Sequence, residues 1–121
     1  MKTLFPKILS GICLFVLLLP PVSESGYIPR QKILVLHSYH QGLEWTDNIN
    51  RGISDVFKRY DDKFEIYYEY LDSKRNAGTD YQRIMYQLQT TKQRDIEFSA
   101  MIAADNNALS FAMAHRQALY G

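Results

Sequence analysis

Lys32 to His37 (KILVLH) is an unbroken apolar run without alternation. A strand covered on both faces has this pattern, so it predicts a buried parallel strand over 32–37. After it the apolar residues change period. Ile49, Ile53, Val56, Phe57 and Tyr60 are spaced by four, three, one and three, which draws a single stripe on a helix capped by Thr46. Gly52 lies inside that helix, where close approach to a neighbouring strand would explain it. Asp61-Asp62-Lys63 is a turn. Phe64 to Asp72 (FEIYYEYLD) then alternates, with Glu65 and Glu69 on one side and Phe64, Ile66, Tyr68 and Tyr70 on the other. This predicts a strand nearer the sheet edge.

Ser73 to Gly78 is a polar loop, after which Thr79 caps a second helix with Asp80 in its first turn. Tyr81, Ile84, Met85 and Leu88 form its stripe. Ile96 to Asp105 rebuilds a strand, centred on Ala100 to Ala103. Asp105 or Asn106 caps a third helix bearing Ala108, Leu109, Ala112, Met113 and Leu119. The order β-α-β-α-β-α predicts an α/β fold, a parallel three-layer sandwich with right-handed crossovers. The first strand should lie in the middle. Ile53, Phe57, Ile84, Leu88, Leu109 and Met113 should be buried.

The first 25 residues follow another logic. Lys2 and Lys7 precede the apolar run Ile8 to Leu19, which Pro20-Pro21 stops, and Ser23-Glu24-Ser25 supplies small residues for cleavage. The layout predicts a signal peptide over 1–25, a linker over 26–31 and the folded unit over 32–121. The run is too short for a comfortable membrane span, although an uncleaved anchor stays open. Bulky Ile12 before Cys13 disfavours a lipoprotein. The expected location is periplasmic or extracytoplasmic.

Cleavage would remove Lys2, Lys7 and Glu24, leaving twelve basic against twelve acidic residues. A neutral chain carries no electrostatic footprint for nucleic acid or an anionic membrane. The only cysteine, Cys13, would leave too, and with it any disulfide, thiol nucleophile or thiolate metal site.

Polar clusters fall at all three strand ends: Ser38-Tyr39-His40, Asp72-Ser73-Lys74-Arg75 and Asp105-Asn106-Asn107. Open parallel sheets collect ligands beyond the carboxyl ends of their strands. In the first cluster Ser38 and His40 invite a nucleophile-and-base reading, but no Gly-x-Ser-x-Gly elbow surrounds Ser38. The binding reading takes Tyr39, His40 and Trp45 as flat walls for a small molecule. The plain structural reading makes Trp45 a core plug and His40 a loop residue facing solvent. Lys74 and Arg75 would hold a carboxylate or phosphate, or simply solvate their loop, and Asp72 would orient them. Capping explains one of Asp105, Asn106 and Asn107, and leaves the others for a ligand. No glycine-rich phosphate loop and no metal-ligand spacing accompany these clusters, so no cofactor is expected.

Three stretches, KILVLHSYHQGLEWTDNINRGISDVF, EYLDSKR and AADNNALSFAMAHRQALYG, together resemble a family. It comprises the extracytoplasmic ABC-transporter substrate-binding-protein-like domains that are fused to bacterial sensor histidine kinases and diguanylate cyclases. The similarity spans Lys32 to Tyr120. It implies a type I periplasmic-binding-protein fold with a ligand held between two α/β lobes, of which this chain would be the N-terminal, truncated part. The family's strand-end motifs match at Ser38, Tyr39, Trp45, Asp72, Lys74, Arg75, Asp105, Asn106 and Ala108. The implied function is non-enzymatic binding of an amino acid, nucleobase or other small polar or anionic solute. A membrane-bound signalling domain or an ABC permease would be the partner. The alternatives are the binding component of an importer and a small secreted flavodoxin-like hydrolase using Ser38 or His40.

Overall fold

The computed structural model describes residue 26 and residues 28–120, so the expected signal peptide lies outside the described residues. Three strands, β1 (Gln31–His37), β2 (Phe64–Tyr70) and β3 (Ala100–Ala104), form one parallel sheet in the order β2-β1-β3. The fold is α/β. The central place expected for the first strand is the observed one. β1 begins one residue earlier than expected, and Ile33 to His37 are all buried.

Among the described residues the other elements are helices α1 (Glu44–Phe57), α2 (Thr79–Lys92), α3 (Asn106–Ala114) and α4 (Arg116–Tyr120), with a short 3-10 turn at Lys58–Tyr60. Alternation along β1 sorts them into layers. Asn50 of α1 meets His37, whereas Leu36 packs with Met85 of α2 and with Ala108, Phe111 and Ala112 of α3. Neighbouring strand residues point to opposite faces, so α1 covers one face and α2 with α3 the other. The connections β1-α1-β2 and β2-α2-β3 run in opposite directions across the sheet. Two crossovers of the same hand then place their helices on opposite faces.

Several helix expectations are corrected. Ile84, Leu88, Leu109 and Met113 are exposed, and Ile53 and Phe57 are only half-buried. A sheet of three strands spans two gaps of about 4.8 Å, roughly one helix diameter, and cannot cover broad apolar stripes. On α2 the inward line is Tyr81, Met85, Gln89 and Gln93, at steps of four. Its polar members meet a polar strand residue, because Gln89 Nε2 donates to Glu69 Oε2 at 3.1 Å and Gln93 Nε2 donates to Gln89 Oε1 at 2.6 Å. Lys92 pairs with the same Glu69 carboxylate. A carboxylate turned toward a helix must be compensated, and that requirement sets the rotation of α2.

Thr46 does not cap α1. The cap is Leu43, and Thr46 lies buried within the helix. Asp47 instead reaches back to accept from Gly42 N at 3.2 Å, which allows the helix to start earlier. Thr79 is the first residue of α2 rather than its cap, which is Gly78 with φ 109°. Nothing lies within 4 Å of a Cβ built on Gly52, so no close approach explains that glycine. Asp105 caps α3 as expected, accepting from Asn107 N.

Candidate functional site

The carboxyl ends of the three strands are tied together under β1. Ser38 is fully buried there. Its Oγ accepts from Ala108 N at 2.8 Å and donates to Ala104 O at 3.2 Å. Its carbonyl accepts from both Ser73 N at 2.8 Å and Ser73 Oγ at 3.0 Å. One serine therefore joins the end of β1 to the loop after β2 and to the first turn of α3. The three loops share one rim, as the strand-end clusters predict.

Above this knot the charged residues pair with one another. Asp72 accepts from Arg75 Nε at 2.7 Å and from Arg75 Nη2 at 2.8 Å, a two-point contact. Asn76 Nδ2 adds a third bond to the same carboxylate at 2.9 Å. Lys74 turns the other way. Its Nζ lies 2.9 Å from Asp105 Oδ1, donates to Asn106 Oδ1 at 2.8 Å and reaches Asn107 Oδ1 at 3.4 Å. The hydrogen bonds from Arg75 hold the Asp72 carboxyl below its ordinary range, and Lys74 does the same for Asp105.

The aromatic residues flank this charge array. Lys74 Nζ sits 5.4 Å from the Tyr39 ring centroid, and Tyr39 meets Trp45 edge-on at 5.2 Å. Trp45 is 44% exposed, so it is a wall of the rim and not a core plug. His40 Nδ1 is buried without a hydrogen bond, 3.6 Å from Asp72 Oδ1. All nine residues singled out from the sequence thus converge on one rim: Ser38, Tyr39, His40, Trp45, Asp72, Lys74, Arg75, Asp105 and Asn106. They divide by depth. Ser38 works below the surface, while Tyr39, Trp45, Lys74, Arg75 and Asn106 form the accessible layer.

Two backbone features mark the same place. Asp72 (φ 48°) and Asp105 (φ 80°) are the non-glycine residues with positive φ among the described residues, and each follows an edge strand. Such conformations are uncommon outside glycine and gather at functional sites.

Other features were not legible in the sequence. His37 is fully buried, and its Nε2–H donates to Asn50 Oδ1 at 2.7 Å, while Asn50 Nδ2 donates to Tyr70 Oη at 3.0 Å. The His37 ring stacks on Tyr70 at 5.2 Å, and its Nδ1 has no partner. Burial lowers its pKa. Strand register sets His37 beside Tyr70, and the rotation of α1 brings Asn50 to both. A cleft of about 460 Å³ between α2 and α3 also escaped, because its lining alternates between two helices far apart in sequence.

Fold and site together define a parallel α/β protein with a charge-balanced, aromatic-flanked rim at the carboxyl end of its sheet. Compared with known proteins, the chain matches no family model, no curated protein and no solved structure. No helix among the described residues is long and apolar enough to cross a membrane. Among the described residues no group of three or more His, Cys, Asp and Glu is placed to hold a metal ion.

Proposed function

We propose that the chain is an extracytoplasmic small-solute-binding module, the N-terminal part of a periplasmic-binding-protein-like sensor domain. The rim is its ligand surface. The observation that carries this reading is the convergence of Tyr39, Trp45, Lys74, Arg75 and Asn106 on strand ends held by Asp72 and Asp105 at positive φ. Groups held in uncommon conformations at the ligand-collecting end of a parallel sheet suit a preorganised site. Partners in the proposal are a membrane-bound signalling domain or, for an importer component, an ABC permease.

The pairing narrows the solute. Lys74 and Arg75 are matched by Asp105 and Asp72, so the rim offers cations and carboxylates side by side. A zwitterion such as an amino acid complements that pattern better than a simple anion. The hydrolase alternative needs an accessible Ser38 Oγ with a base beside it. Ser38 is buried and its Oγ partners are backbone groups, which favours the binding reading.

Trp45 is the only tryptophan and belongs to the rim, so its emission reports directly. Titration with free amino acids, nucleobases and dicarboxylates should give a saturable change with a zwitterionic solute, removed by Lys74→Ala. A flat response to every solute would reject the proposal.

A further inference from the structure

The cleft between α2 and α3 lies beside the rim but has a different chemistry. Its volume of about 460 Å³ is within the range of small-molecule pockets. Leu71, Met85 and Phe111 make an apolar floor, exposed Ala114 stands at its edge, and Gln82, Ser110 and His115 bring polar groups to its lining. Among the described residues, no Asp, Glu, Lys or Arg lines it. An ionic ligand would lose its hydration there without an opposite charge to replace it.

The walls are fixed from both sides. Tyr81 Oη donates to Leu71 O at 2.6 Å, anchoring α2 to the end of β2. Asn107 Nδ2 donates to Ser73 Oγ at 3.1 Å, anchoring α3 to the neighbouring loop. His115 packs against Phe111 at 4.6 Å and Tyr86 at 4.4 Å, which gives the cleft an aromatic side. Among the described residues, the side chains of Gln82, Ser110 and His115 make no hydrogen bond, so their polar atoms remain available to a guest. A preformed apolar floor beside such groups favours a flat ligand with one hydrogen-bonding edge.

We propose that this cleft, which adjoins the rim through Ser73, Asn76 and Asn107, is a second binding site of different chemistry, for a neutral heteroaromatic solute. The ring lies on Met85 and Phe111, and its polar edge meets Gln82, Ser110 or His115. This goes beyond the rim reading, and the two stand or fall separately.

Indole is the probe, with indole-3-acetate as its charged counterpart, added to the full chain carrying 13C-methyl methionine. Met85 lines the cleft, whereas Met113 is 73% exposed and does not, so the protein contains its own control. Indole should shift the Met85 methyl signal saturably and leave Met113 unmoved. Indole-3-acetate should bind about tenfold or more weakly, because its carboxylate has no partner. Ala114→Trp, which fills the cleft from an exposed helix position, should abolish the shift, and Lys74→Ala should preserve it. A Met85 signal that does not saturate, that moves together with Met113, or that responds equally to indole-3-acetate overturns the inference. So does loss of the response in Lys74→Ala with its retention in Ala114→Trp. That result would move the guest to the rim and leave the rim reading intact.

Discussion

Lys74 Nζ lies 2.9 Å from Asp105 Oδ1, and this contact passes across the end of β1 to join the loops that follow the two edge strands. Beneath it, Ser38 ties the same two loops to β1, its Oγ bonding Ala108 N and Ala104 O and its carbonyl accepting from Ser73 N. The rim therefore has a buried tie and an accessible tie, and the two should respond differently to mutation.

Lys74→Ala removes the accessible tie. Both partners are partly solvated, so the stability change should stay within about 1 kcal/mol. Urea midpoints should barely move. The response of Trp45 to solute should be lost, because the ring of Tyr39 and the cap of α3 no longer share a cation.

Ser38→Ala removes the side-chain part of the buried tie and leaves its backbone bonds to Ala104 and Ser73. Ala108 N loses its acceptor in a fully buried position, at a cost of about 1–3 kcal/mol. Urea unfolding should show a lower midpoint with an unchanged slope. A midpoint equal to that of the parent chain would mean that Ala108 N finds another acceptor.

Stability should depend on pH in two windows. Burial lowers the His37 pKa below its unfolded value of 6.5, so the folded state binds fewer protons than the unfolded state. Stability is then full above 6.5, falls as pH drops below it, and levels off under the folded value. Asp72 and Asp105 are lowered below 3.8, so their contribution is present above that value and is lost as pH falls through their folded values. Urea midpoints taken between about pH 3 and 8 should show both steps. His37→Gln should remove the upper step and spare the lower.

Gly52→Ala should stabilise the chain. Gly52 is helical and exposed, with nothing within 4 Å of an added Cβ. Alanine is favoured over glycine inside a helix by roughly 0.5–1 kcal/mol. A raised thermal midpoint would confirm that the glycine has no packing role, and a lowered one would restore the close-approach reading.

The sequence alone determined the α/β order, the parallel sheet, β1 as its centre and the gathering of polar residues at strand ends. These follow from local patterns: the unbroken run of Ile33 to Leu36, the alternation of Phe64 to Tyr70, and polar clusters placed where strands stop. Chain direction in a parallel sheet brings all such clusters to one rim whatever the details of packing. The rotation of each helix was decided only by tertiary structure. On α2 the apolar period points to Ile84 and Leu88, yet Gln89 faces inward because Glu69 of β2 needs a partner, and Gln93 follows by bonding Gln89. The contacts of His37 with Asn50 and Tyr70 and the cleft beside Phe111 have the same origin. Pairs distant in sequence meet only once register and helix rotation are set, and those depend on satisfying buried polar groups that hydropathy does not distinguish.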